Sequence, residues 1–422
     1  MRYFIESYGC TMNHGEGRGL AEDMASLGFE PATSADEADV VVLNTCTVVE
    51  TTEKHMLSRI SKLRSQGKKV VVTGCMAKAQ PERIAIRLPD SPVIPPQEYR
   101  IFKQRVAERY GIQGCATSVD FGSDAILPIA QGCLGNCSYC ITKLARGDLS
   151  SYPQEELLAR FDRFLANGAK EILVTAQDTA AYGRDSGTTL SDLICSMLER
   201  EGDFRLRIGM SDPENVVRVR ESLMPLMDDD RLYRFLHIPV QSGSDAVLRR
   251  MRRRYTVEGF MDLVDDLRAD VPGISIATDI ICGFPGETDD DHARSMELVR
   301  TLKADTVNIT RFSSRPGTDA SRMEQIHGRI SAARSAELTN AKNSTELEVN
   351  RGLVGKSFRS LATEKGKDGT IVRTGFYRPV VIRDEIPLGS FIDVEITEAK
   401  PTYLIGKLIS RVRCCTDNSP VV

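Results

Sequence analysis

Short apolar runs alternate with amphipathic stretches along roughly the first 110 residues of the chain. Strands are predicted over 3–7, 40–44 and 69–73, where apolar residues run almost unbroken, and helices over 15–27, 51–66 and 81–88. Continuous apolar strands separated by helices predict a small doubly wound α/β domain with a parallel sheet. A polar, glycine-containing stretch over 111–123 interrupts the pattern and reads as a linker. The alternation then restarts with a different rhythm. Strands are predicted over 126–130, 171–176, 205–209, 234–239, 275–281 and 306–311, with amphipathic helices between them, among them 155–167, 190–201 and 289–302. Six such units predict a partial (β/α)6 barrel rather than an open sheet. A helix over 331–350 and a short β-rich tail over 352–411 complete the pattern. The expected domains are therefore 1–110, a linker 111–124, a barrel with its trailing helix 125–350, and a small β-barrel 351–413.

This layout places the unusual motifs. In β/α barrels the chemistry sits on the loops at the C-terminal strand ends. Here each oddity follows a strand: GCLGNCSYC, AQDTAAYG, GMSDPE, PVQSGSD, CGFPGET and SSRPGTD. Packing alone explains six such loops on one face poorly.

The first of these loops holds Cys133, Cys137 and Cys140. Three thiolates leave one iron of a four-iron cluster without a protein ligand, open to a small molecule, whereas four cysteines close a site. The alternative, a structural zinc turn, pairs Cys-x2-Cys with a second such unit, and no second pair flanks this one. Cys10, Cys46 and Cys75 lie far apart in sequence, yet each directly follows an apolar strand. In a parallel sheet these strand ends share one edge, where ligands bind. The three thiols are expected to be neighbours and to hold a second cluster, again with an open iron; the alternative is ordinary buried cysteine.

Charge and composition narrow the rest. Lys and Arg number 55 against 59 Asp and Glu, a net charge of -4, so any nucleic-acid contact rests on local patches. Eleven cysteines without a secretory signal argue for reduced thiols, metal binding and a cytoplasmic location, and no apolar stretch reaches membrane-spanning length. The tail over 352–411 carries ten Lys/Arg against seven Asp/Glu.

The x3-x2 cysteine spacing with Tyr139 before the last thiol resembles the radical S-adenosylmethionine (SAM) enzymes. Together with YGCTMN (8–13), NTCTV (44–48), TGCMA (73–77), HIPVQSGSD (237–245), TDIICGFPGET (278–288) and SRPGTD (314–319), it resembles the methylthiotransferases over nearly the whole chain. Three branches act on isopentenyladenosine in tRNA, on threonylcarbamoyladenosine in tRNA, or on an aspartate of a ribosomal protein. TKLARGDLSSYP (142–153) and QDTAAYGRD (177–185) resemble the threonylcarbamoyl branch in its archaeal and eukaryotic form; Ala176 and Asp178 depart from the GQN loop of the isopentenyl branch. A non-catalytic RNA-binding protein with structural zinc is the reading of another class.

The resemblance implies two [4Fe-4S] clusters and SAM. Cys133, Cys137 and Cys140 would hold the cluster that reduces SAM to a 5'-deoxyadenosyl radical, which removes hydrogen from carbon 2 of the adenine. Cys10, Cys46 and Cys75 would hold the auxiliary cluster that carries the sulfur, and a second SAM would methylate it. Tyr139, Gln177 and Gln241 are the expected SAM contacts, with GFPGE (283–287) beside them. Arg146 and Arg184 are the expected partners of the threonyl carboxylate, or else structural salt bridges. The tail resembles the TRAM module, which binds RNA. Lys356, Arg359, Lys365, Lys367, Arg373 and Arg378 are its candidate phosphate contacts, and Phe376 and Tyr377 its candidate stacking rings. RRMRRRY (249–255) is either a solvated helix end or a further tRNA contact. The partners implied are tRNA, a reductant such as a flavodoxin or ferredoxin, and a sulfur donor of unknown identity, with no membrane.

Overall fold

The computed structural model describes residues 1–48, 50–111 and 124–411. Most of the expected linker, together with Cys115, Cys414 and Cys415, lies outside the described residues.

Five parallel strands form the N-terminal sheet, in the order Glu30–Pro31, Arg2–Ser7, Val40–Thr45, Lys69–Gly74, Val93–Ile94. The central strand Val40–Thr45 is buried at every position, as a strand covered on both faces requires. Side-chain alternation sends Val41, Leu43, Val70 and Val72 to the helix Glu50–Ser65, through Met56, Ile60 and Leu63. Val40, Val42 and Val71 face the helix Thr11–Ser26 on the other side, through Leu20 and Met24. The sheet is thus doubly wound, as the pattern predicts. Its first helix begins at Thr11, directly after Cys10, four residues before the expected start.

The central domain has the six expected parallel strands in two groups of three. Asp124–Pro128, Glu171–Thr175 and Arg205–Ile208 form one; Phe235–His237, Ser275–Cys282 and Thr306–Arg311 form the other. Bridges between Leu206 and Leu232 and between Met210 and His237 join the groups into one arc. One continuous core, from Leu127 and Phe161 to Leu302 and Leu338, lies between this arc and its helices. The helix Gly328–Arg351 packs on the last strand and leads into the tail. There Ser357–Gly366, Gly369–Thr374, Pro379–Ile382, Leu404–Arg411 and Phe391–Ala399 close into a five-stranded barrel with no free edge.

Buried ion pairs dock the domains. Arg146 of the central domain pairs with Glu16 of the N-terminal one, and Arg315 with Glu53, both pairs almost fully buried. Arg315 also donates to Thr47 Oγ1 at 3.1 Å. At Gly15 the first helix comes so close to the barrel that a Cβ would lie 2.5 Å from Ile126 Cγ2. The C-terminal barrel docks through Arg378 on Asp305 and Arg359 on Asp203.

Candidate active site

Cys10, Cys46 and Cys75 each follow a strand of the N-terminal sheet within three residues, so the parallel topology gathers them at one edge. Cys10 is exposed; Cys46 and Cys75 are buried. Burial pushes the Cys46 thiol up to about 11 and raises that of Cys75 as well. An ionised sulfur here needs a cation or metal beside it. For Cys75 that neighbour is Arg146, whose Nε donates to its Sγ at 3.3 Å.

The second triad occupies the loop between the short strand Ala130–Gln131 and the helix Ile141–Arg146. The loop turns at Gly132, where φ is +77° and a Cβ would lie 1.9 Å from the Asp148 carbonyl oxygen. Each sulfur receives an N–H: Gly135 N donates to Cys133 at 3.1 Å, Lys143 N to Cys140 at 3.4 Å, and Arg253 Nη1 to Cys137 at 3.2 Å. Such bonds favour thiolate over thiol and tune a cluster's potential. Burial, in contrast, pushes Cys133 up to about 11 and raises Cys140.

All six thiols line one cavity of about 710 Å³. It begins at the C-terminal ends of the barrel strands, with Gln177, Asp212 and Gln241. It runs to their N-terminal ends, where Phe235, Ser275 and Thr306 meet Arg373 and Tyr377 of the C-terminal barrel. Among the described residues, no three His, Cys, Asp or Glu side chains converge tightly enough to hold a single metal ion. Thiols facing open volume suit a polynuclear cluster, whose ligands stand apart around its corners.

The expected SAM contacts all line this cavity. Tyr139 packs edge-on against Phe284 of GFPGE, ring centroids 6.1 Å apart, so that turn stands behind the tyrosine. Gln177 Oε1 accepts from Gly132 N at 2.7 Å, tying the second strand's loop to the cysteine loop. Gln241 has φ +73°, a strained value for a residue with a side chain, and its buried Oε1 has no hydrogen-bond partner. A strained, cavity-lining residue with an unpaired buried amide oxygen fits a ligand-binding group. Nearby, Asp279 Oδ1 meets His237 Nε2 at 2.8 Å and accepts from Asn308 Nδ2 at 2.8 Å.

The structure redirects several expectations. Arg146 is 2% exposed, and all its guanidinium nitrogens meet this chain: Cys75, Glu16 and Asn13. It holds two domains together, with four of its five N–H groups bonded within the chain. Arg184 is exposed, donates to Asn215 Oδ1 at 2.7 Å and lies outside the cavity lining. In RRMRRRY, Arg250, Arg252, Arg253 and Arg254 pair with Asp291, Asp319, Asp212 and Glu214. Arg249 alone of the five is exposed with no charged partner recorded. In the tail, Lys356, Lys365 and Lys367 are exposed, as a phosphate-binding face requires. Arg378 is instead buried against Asp305 and Asn350, Arg359 pairs with Asp203 at 3.0 Å, and Arg373 pairs with Glu364 at 3.2 Å. Tyr377 packs edge-on against Tyr233 and tilted against Phe235, at 4.9 and 4.8 Å, so part of its ring is already covered within the chain. Part of the face assigned to RNA is the face that docks on the central barrel. Arg207, which lines the cavity, and Asp178, buried beside it, were not singled out as ligand contacts from the sequence.

Fold, thiol loops and cavity together define a radical SAM protein. Residues 127–299 match the Radical SAM superfamily, residues 353–409 the TRAM domain, and residues 2–94 a family described as Uncharacterized protein family UPF0004. The probable threonylcarbamoyladenosine tRNA methylthiotransferase of Archaeoglobus fulgidus is 37% identical, covering 97% of this chain and 99% of that protein. The Homo sapiens threonylcarbamoyladenosine tRNA methylthiotransferase is 34% identical over 98% of this chain and 75% of its own. The chain belongs to the threonylcarbamoyladenosine tRNA methylthiotransferase family. Among solved structures, the radical S-adenosylmethionine methyltransferase TsrM of Kitasatospora setae, bound to tryptophan and a SAM analog, shares the fold. Its TM-score is 0.56 at 14% identity, over 82% of this chain and 76% of that one.

Proposed function

We propose that this chain methylthiolates carbon 2 of N6-threonylcarbamoyladenosine next to the anticodon of tRNA, with SAM as both radical source and methyl donor. The observation that carries the reading is the single cavity shared by both thiol triads. A group activated at one triad and a sulfur held at the other can reach the same base without its leaving the chamber.

Cys133, Cys137 and Cys140 would hold one [4Fe-4S] cluster and Cys10, Cys46 and Cys75 a second. Bound there, they supply one-electron reduction of SAM and a site for the sulfur to be inserted. The chain's own part is positioning and exclusion of water. Three N–H groups orient the barrel thiolates, Gln241 offers its unpaired oxygen to SAM, and Tyr139 walls the pocket. The exposed Lys356, Lys365 and Lys367 meet tRNA phosphates. A flavodoxin or ferredoxin supplies electrons, and a separate donor restores the sulfur. Among the described residues no helix is long and apolar enough to cross a membrane.

The test gives the reconstituted enzyme tRNA bearing threonylcarbamoyladenosine, isopentenyladenosine or plain adenosine. Methylthiolation of the first alone is expected. Equal turnover of the isopentenyl form overturns the substrate, and a colourless protein free of iron and sulfide overturns the enzyme in favour of a zinc-containing RNA-binding protein.

A further inference from the structure

The strand Arg205–Ile208 alternates. Leu206 and Ile208 are buried in the core shared with the helices, so Arg205 and Arg207 face the opposite way, into the barrel. Barrel interiors are normally filled by branched apolar side chains. Arg207 lines the cavity instead, its guanidinium 5.2 Å from the ring centroids of both Phe235 and Tyr377. Its Nε is buried and meets no acceptor. Arg373, on the C-terminal barrel, covers the same Tyr377 ring at 4.6 Å and lines the same cavity.

Two guanidinium groups on one ring repel each other, and burial holds Arg207 below its ordinary pKa. Two acids stand near them. Glu171 accepts a hydrogen bond from Tyr233 Oη at 2.8 Å, and Glu364, paired with Arg373, is largely exposed to water. Tyr377 itself is held at φ +61°, a left-handed conformation costly for a tyrosine. An orphaned buried N–H, a like-charge pair and a strained residue converge at this one end of the cavity. Together they describe a cationic, ligand-binding end of the cavity.

We propose that Arg207 and Arg373 bind the carboxylate of the threonylcarbamoyl substituent, a subsite that rests on the substrate reading above. The edge of a guanidinium matches a carboxylate with two parallel hydrogen bonds. The thiol triads lie at the other end of the cavity, so the adenine sits between the group that reads its substituent and the groups that act on its carbon 2.

The test uses synthetic anticodon stem-loop RNAs carrying threonylcarbamoyladenosine as the free acid or as its methyl ester. Each is given to the reconstituted wild type, Arg207→Met and Arg373→Met. The wild type is expected to prefer the acid by roughly 10- to 100-fold in kcat/KM, the worth of a charged hydrogen-bonded pair. In each variant the acid-to-ester ratio should fall to about one. The acid-to-ester ratio is internal to each enzyme, so partial misfolding of one variant does not mimic the result, and Arg373→Met carries the same comparison if Arg207→Met fails to fold. Equal wild-type turnover of acid and ester overturns the subsite alone, whereas failure of the wild type on the acid RNA sinks the substrate reading and the subsite together. A loss on both RNAs with the preference intact assigns the arginines to backbone phosphate and also overturns the proposal.

Discussion

Replacing Gly132 by Ala puts a methyl group into the turn that carries Cys133. Two costs add. A left-handed backbone costs a residue with a side chain about 1–2 kcal/mol. The new Cβ would also lie 1.9 Å from the Asp148 oxygen, 2.5 Å from the Asp148 carbonyl carbon and 2.9 Å from the Gly147 oxygen. All three are backbone atoms, which no rotamer change moves aside, so overpacking adds about 1–3 kcal/mol. Relief comes only by opening the loop. That breaks the bond from Gly132 N to Gln177 Oε1 at 2.7 Å and the bond from Cys133 N to Gly147 O at 3.2 Å, and it withdraws Cys133 from its partners. Gly168→Ala is the matched control, because Gly168 has φ +81° with nothing within 4 Å of its added Cβ, leaving the backbone cost alone. Urea unfolding should show Gly132→Ala losing roughly 2–5 kcal/mol and Gly168→Ala roughly 1–2 kcal/mol. After anaerobic reconstitution, the first should bind iron at the N-terminal triad only. Equal destabilisation of the two variants, with full iron in both, refutes the collision argument.

Removing Cys10, Cys46 and Cys75 together by Ala should spare 5'-deoxyadenosine formation and abolish methylthiolation; sulfur insertion at the wild-type rate would make those thiols merely structural. Arg146→Met strands the buried Glu16 carboxylate and should cost about 3–5 kcal/mol in chemical denaturation; a change under about 1 kcal/mol would mean that water reaches the pair. Asp178 is 2% exposed, and burial pushes its carboxyl from 3.8 up to about 6. Between those values the folded state holds a proton that the unfolded chain has released. The stability this confers is full below about pH 4 and is lost as pH rises through about 6. Relative to Asp178→Asn, the wild type should lose about 1–3 kcal/mol between those limits by urea titration; parallel pH profiles for the two proteins would count against it.

The strands over 40–44 and 69–73 were legible because parallel strands covered on both faces must be apolar throughout, and they match Val40–Thr45 and Lys69–Gly74 to within a residue. The edge strands Glu30–Pro31 and Val93–Ile94 are two residues long, too short for any periodicity to mark. The thiol triads were legible because strand order alone gathers strand ends at one edge. Arginines are harder to place. Arg146, expected at the barrel mouth, stands at the domain junction, because its partner Glu16 lies 130 residues away and nothing local announces that pairing. Arg207 sits in a strand of four residues, where alternation is visible but which parity faces the barrel interior is not. The net charge of the tail counts Arg378 and Arg359 as free cations, because a sum over sequence cannot separate a docking face from an exposed one.

The C-terminal barrel closes the chamber from below, with Arg373 and Tyr377 as part of its floor. Ribosomes deliver a chain in order, so both thiol-bearing walls emerge before that floor exists. At roughly 5–20 residues per second, the stretch from Arg311 to Tyr377 takes several seconds to make. During that interval the N-terminal ends of the barrel strands lack Arg373 and Tyr377 against them. Once the last barrel folds, Arg373 and Tyr377 stand across that end of the chamber.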